Sequence, residues 1–362
     1  MAKKANPARR HHYIPQLYLG GFTDSGEKNG LLYAHDFREL KNWQAKPSNV
    51  AFVKDFYRID APGVDPDEVE KLFWEVEGEA ARILRKIIDL RMLPARRKDY
   101  YTLMRFMAQL VIRRPSVREN FQKQHEHLSR MAAKMHASLP DDQLRARLER
   151  NRKDNPELPE VDLDAFRKFV KSDAYTIEFS QNFHISNLVN ALLPAAEEIT
   201  SYLAARHWVL WEAQDDAGNF ITTDRPVNLS WTVEVPQMFQ DSPGFAMENT
   251  AVVFPLAKRL AMFGKFDGPR GAVIPANAKQ VALINRFMSR SVVRFIYSTD
   301  ENFAWQKEDG SIGDTSDMFQ AIKEYTANNA KIKPANAVPA QADPAATVPT
   351  WAVPAEASES EE

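Results

Sequence analysis

The stretch Phe220-Ile221-Thr222-Thr223-Asp224-Arg225-Pro226-Val227 decides how the rest of the chain is read. Phe220 to Thr223 is rich in β-forming side chains, and Pro226 cannot donate to a sheet ladder. Pro226 also biases Arg225 away from helical angles, so the segment predicts a strand that stops on Asp224. Upstream, His207-Trp208-Val209-Leu210-Trp211-Glu212 is a second β-pattern, and Asp215-Asp216-Ala217-Gly218-Asn219 supplies turn residues between the two. The spacing predicts a hairpin over 207–223. Asp224 then lies where the backbone leaves the sheet, a common place for functional side chains. The position equally suits an aspartate that accepts a hydrogen bond from a nearby backbone amide.

Downstream, strands are expected at 227–233, 251–256, 260–264 and 292–297, with a helix over 277–289 that carries Asn285. Upstream, the chain from 65 to 205 reads as helix almost throughout. Its first long helix has apolar residues at Val69, Leu72, Phe73, Val76, Ala80, Ile83, Leu84 and Ile87, the three- and four-residue spacing of a buried stripe. Glu70 and Glu77, seven apart, share a face of it, either as a solvated flank or as a carboxylate pair for a metal or for acid–base work. A second helix, 98–113, places Gln109 and Arg113 four apart beside its apolar stripe. These two could grip a phosphate or carboxylate, or Arg113 could form an interhelical ion pair. Further helices are expected over 116–139, 141–152, 162–171 and 177–205, the last with a kink at Pro194. Nearer the start, extended segments are expected at 31–37 and 51–59, and Pro15 opens a short helix closed by Gly20-Gly21.

The first and last β segments are expected in one sheet. The fold class is therefore α+β: a helical block over 65–205 packed against a mixed or antiparallel sheet of C-terminal and N-terminal strands, in one domain over 11–330. A basic arm at 1–10 and an Ala/Pro-rich, finally acidic tail at 331–362 are expected to be disordered.

Composition narrows the function. The chain has 362 residues, no cysteine and a formal charge of −2, which removes disulfides, thiol catalysis and zinc–cysteine sites. Arg82 to Lys153 nevertheless carries 19 basic against 7 acidic residues, an electrostatic surface for nucleic acid. No apolar run is long enough for a transmembrane helix, so no membrane partner is expected and the protein is read as cytoplasmic. Glycine-rich phosphate loops, dinucleotide-binding fingerprints, His-Glu-x-x-His and Gly-x-Ser-x-Gly are all missing, against several large enzyme classes.

Several stretches together resemble a mainly bacterial family catalogued as a domain of unknown function. They are His12-Tyr13-Ile14-Pro15-Gln16-Leu17-Tyr18-Leu19, Asp55-Phe56-Tyr57, the Glu70/Glu77 helix, Gln109 to Pro115, Thr222-Thr223-Asp224-Arg225-Pro226, Phe254-Pro255-Leu256, and Asn285 with Tyr297-Ser298. Thr223 stands where the family usually has Ser, and Gly20-Gly21 replaces a more polar pair. The resemblance implies a shared polar set, namely His12, Gln16, Gln109, Arg113, Asp224 and Asn285. Two readings follow. In the first, the protein is a phosphodiester hydrolase of nuclease type. Asp224 would then bind a divalent metal or act as base, His12 would exchange protons and Arg113 would stabilise phosphate charge, with Gln16, Gln109 and Asn285 binding substrate. In the second, it is a non-catalytic binding or sensor protein for a small anion or a macromolecular partner.

Overall fold

The computed structural model describes residues 10–156, 158, 160–233 and 243–331. The arm expected at 1–10 and the tail expected at 331–362 lie outside this range, apart from Arg10 and Lys331 themselves. The described chain divides into two compact units, residues 10–119 with 180–331 and residues 120–179.

The larger unit opens with β1 (Arg10–His12), the short helix α1 (Gln16–Leu19), β2 (Leu32–Asp36), β3 (Lys41–Ala45) and β4 (Phe52–Lys54). Ala51 and Asp55 take left-handed backbone angles on either side of β4, so the expected 51–59 strand is cut to three residues. Helices α2 (Glu68–Leu90) and α3 (Arg97–Ile112) follow. Next comes α4 (Pro115–Ala137), and with residues 120–137 of it α5 (Asp141–Asp154) and α6 (Leu163–Ser172) make the smaller unit. There Leu144 and Val170 are buried, and the Arg167 guanidinium donates to the carbonyls of Ala137 and Leu139.

The chain returns through α7 (Gln181–Asn187) and α8 (Leu193–Ala204), separated by a π-helical turn over Leu188–Leu192. Pro194 lies in the first turn of α8, so the expected kink takes the form of this wider turn. The remaining elements are β5 (His207–Ala213), β6 (Thr222–Thr223), β7 (Asn228–Trp231), β8 (Thr250–Ala257), β9 (Leu260–Lys265), β10 (Val273–Ala276), α9 (Ala278–Arg290), β11 (Phe295–Ser298), β12 (Trp305–Gln306), β13 (Ile312–Gly313) and α10 (Thr315–Lys331).

The architecture is α+β. One sheet has strand order β10-β5-β9-β8-β7, with β10 parallel to β5 and the other pairs antiparallel. A second, wholly antiparallel sheet has the order β3-β2-β11-β6 and joins N-terminal to C-terminal strands. α2, α3 and α8 pack with the first sheet around Phe73, Met104, Leu203, Leu210 and Phe254. α9 covers a second cluster that contains Phe220, Ile221, Val281 and Ile296. Among the described residues no helix is long and apolar enough to cross a membrane.

The hairpin expected over 207–223 does not form. β5 pairs with β9 and β10, whereas β6 pairs with β11 in the other sheet. The amides of 220 and 221 are taken elsewhere: Phe220 N–H donates to the Lys258 carbonyl (2.8 Å) and Ile221 N–H to Asn285 Oδ1 (3.0 Å). Residues 220–224 are buried throughout, so their β-forming side chains reflect a connector packed on both sides rather than a half-exposed hairpin.

Candidate functional site

β1 sets the site because successive strand residues point to opposite faces. His11 is fully buried and stacks on Tyr57, with ring centroids 5.6 Å apart and planes 8° from parallel. The left-handed turn at Asp55 brings the Tyr57 backbone N–H to His11 Nδ1 at 2.7 Å. A neutral imidazole accepts at one nitrogen and donates at the other, so the neutral ring carries its proton on Nε2. That nitrogen lies 3.6 Å from Glu70 Oε2.

Glu70 stands in the first turn of α2, on the face it shares with Phe73 and Glu77. It is 7% exposed, and its Oε2 accepts no hydrogen bond. Burial, reinforced by the charges of Asp67 and Glu77, pushes its carboxyl up to about 7, against the pull of Arg113. Asp67 precedes the helix in the cap position, yet its side chain takes no cap hydrogen bond, and its Oδ1 is buried without a donor. His11, Asp67 and Glu70 each bring one ligand-type atom to within 4.8 Å of the other two.

Glu77 goes elsewhere. Its Oε1 accepts from Nη1 of Arg113, which is 3% exposed and ends α3. Arg113 Nη2 donates to the His12 carbonyl, Nε reaches the Tyr57 hydroxyl at 3.4 Å, and the guanidinium carbon lies 4.5 Å from the centre of the Phe73 ring. Arg113 therefore clamps β1, α2 and the 55–57 turn together.

The His12 ring turns to the other face and meets Phe52 at 5.7 Å. Its Nε2 is buried with no partner. Burial, then Arg113 and Arg10, hold the ring below the usual imidazole range despite the Ser48 carbonyl, so it is neutral at pH 7. One turn before Arg113, Gln109 is buried and its Oε1 likewise accepts nothing, while Gln16 opens α1 half-buried.

Asp224 and Asn285 have their partners elsewhere. Asp224 Oδ1 accepts from the Val293 amide (2.9 Å), and Oδ2 from those of Arg294 (2.6 Å) and Phe295 (3.0 Å). Burial raises its pKa and these three amides oppose the rise. Thr223 Oγ1 accepts from the Arg225 amide (3.0 Å), so the motif fastens the end of β6 to the start of β11. Asn285 accepts from Ile221 N–H and donates to the carbonyls of Asn219 (3.0 Å) and Ala304 (2.9 Å). Among the described residues no hydrogen bond or ion pair joins either residue to His12 or Arg113.

Residues 10–302 match the family described as "Protein of unknown function (DUF4238)". The chain belongs to that family. No curated protein and no solved structure matches it. The DUF4238 region holds both the His11–Asp67–Glu70 cluster and the Asp224 and Asn285 anchors, and it ends before β12, β13 and α10. Within it, the polar residues picked out by sequence divide into a group around Arg113 and a group that ties strands and loops together. Sequence patterns single out Glu70 but not His11 or Asp67. The only sequence signals of these two are that His11 adjoins His12 and that Asp67 precedes an acidic first helical turn.

Proposed function

We propose that the protein is a hydrolase acting on a phosphodiester, with its chemistry on Asp67, Glu70 and His11 rather than on Asp224. The observation that carries this reading is the pair of buried carboxylate oxygens, Asp67 Oδ1 and Glu70 Oε2, that no protein group satisfies although His11 lies beside them. Buried polar atoms without partners are rare in native proteins and concentrate where a ligand or reacting group completes them. Carboxylates so placed can orient and deprotonate an attacking water, and the clamp by Arg113 holds β1 and α2 at a fixed separation for it. The basic excess between Arg82 and Lys153 supports a polyanionic substrate. A bacterial, cytoplasmic setting is part of the proposal, and a cysteine-free chain agrees with a reducing compartment.

One observation favours a binding role instead. Arg225 Nε is buried with no acceptor, and neither Arg225 nor its charged neighbour Arg114 has an ion-pair partner among the described residues. A small anion would suit such a pair.

The test is cleavage of RNA, single-stranded DNA and bis(p-nitrophenyl) phosphate, with and without Mg²⁺, by the wild type, Glu70→Gln and His12→Asn. Glu70→Gln is expected to lose at least about 100-fold in rate with its fold intact, the scale of one acid–base group. His12→Asn, on the other face of β1, is expected to lose less. Absence of cleavage under every condition, together with a small anion retained on purification, would replace the hydrolase with the binding protein.

A further inference from the structure

We infer that Asp67 and Glu70 form a binding site for a hard divalent cation of the Mg²⁺ or Mn²⁺ class, with His11 outside the ion's coordination shell. Three observations lead there. Two carboxylates approach each other at the start of α2, each with a buried oxygen that accepts no hydrogen bond. The arginine whose charge acts on Glu70 is committed, because Arg113 is paired with Glu77 and with the His12 carbonyl. The Asp67 side chain forgoes the cap amides that an aspartate at this position ordinarily takes, and its oxygen lies in the cluster instead.

The role of His11 follows from its tautomer. A trio of one histidine and two carboxylates resembles a site for zinc or another transition metal. Here Nδ1 already accepts the Tyr57 N–H, so Nε2 bears the proton and has no lone pair for a metal. Nε2 lies 3.6 Å from Glu70 Oε2, too far for a hydrogen bond, so that oxygen keeps its lone pairs for an ion. Ligation would then come from oxygen alone, through two carboxylates and water. Such a ligand set suits Mg²⁺ and Mn²⁺ and offers nothing to the softer metals that select imidazole. This inference does not rest on the hydrolase reading.

The test uses the full chain. Calorimetry with MnCl₂ and MgCl₂ is expected to give one ion per chain. Mn²⁺ affinity is expected to fall at least about tenfold in Glu70→Gln and in Asp67→Asn, and to stay within about threefold in His11→Gln, which keeps an acceptor and an N–H donor. A long-range ¹H–¹⁵N spectrum of the wild type needs no variant and should show the His11 ring as the Nε2–H tautomer before and after Mg²⁺ is added. Failure of either ion to bind, binding indifferent to both carboxylate variants, or a shift of His11 to the Nδ1–H form on metal addition would each overturn the inference. Ion binding with no cleavage of any phosphodiester would uphold the cation site while removing the hydrolase.

Discussion

Glu70 and Asp224 are both buried carboxylates, and they differ in the donors that reach them. Asp224 is met by three backbone amides, so replacing it with Ala would strand three partly buried N–H groups. At about 1–3 kcal/mol for each unsatisfied donor, the cost is expected to reach several kcal/mol, read as a large drop in melting temperature. Glu70 Oε2 accepts no hydrogen bond, and burial raises the Glu70 carboxyl as it raises that of Asp224. The Glu70 carboxyl rises to about 7 on folding, so its favourable contribution is complete below its unfolded value and is lost as pH rises through about 7. Glu70→Gln is therefore expected to be more stable than the wild type at pH 8, by no more than about 3 kcal/mol, with the difference vanishing below pH 4.5. Urea denaturation at pH 4, 6 and 8 would measure it. A residue that weakens the fold at neutral pH and above fits a site where stability is exchanged for function. Proline and threonine frame Asp224 and make it conspicuous in the sequence, but its partner amides lie some 70 residues away, beyond any local pattern. Glu70 and Glu77 are legible as a same-face pair. That Arg113 claims Glu77, leaving Glu70 to His11 and Asp67, depends on where β1 and α3 meet α2.

Helices are legible in the sequence because their periodicity is local. α2, α3 and α9 begin and end within a few residues of expectation. Strand pairing is far less so, because a run of β-forming residues reveals its propensity and not its neighbour. The 214–223 segment illustrates this: its turn residues and flanking β-patterns point to a hairpin, yet the chain crosses from one sheet to the other. Asn285 makes the crossing possible by serving one amide and two carbonyls from a single side chain. Asn285→Ala is expected to cost about 2–4 kcal/mol, more than a typical core polar truncation, because it leaves the Ile221 N–H buried without an acceptor. Asn285→Asp keeps that acceptor, loses both donors and places a charge in the core, so it is expected to be no better. Thermal melts of the two variants check the order. Short elements such as β3 and β10 are hidden for a simpler reason, being only four or five residues long and defined by their pairing partner.

At the scale of the whole molecule, the α+β class and the union of the N-terminal and C-terminal strands in one sheet are legible from the placement of β-patterns at both ends of a helical middle. The separation of residues 120–179 as their own compact unit is not, since their helices read no differently from those on either side. The charge of the 82–153 region leads to a further expectation. If it guides a nucleic acid, log affinity for single-stranded RNA or DNA should fall linearly with log salt, with a slope set by the number of phosphates neutralised. Fluorescence anisotropy between about 50 and 200 mM salt measures the slope, and a flat response would remove polyanions as the substrate class. Glu70 as the working carboxylate is tested most directly by the phosphodiester cleavage rate of wild type, Glu70→Gln and Asp224→Asn, each corrected for its folded fraction at pH 8. Glu70→Gln should be inactive and fully folded, while Asp224→Asn should melt lower and keep its rate per folded molecule. An active Glu70→Gln, or a well-folded Asp224→Asn that has lost cleavage, would contradict that assignment.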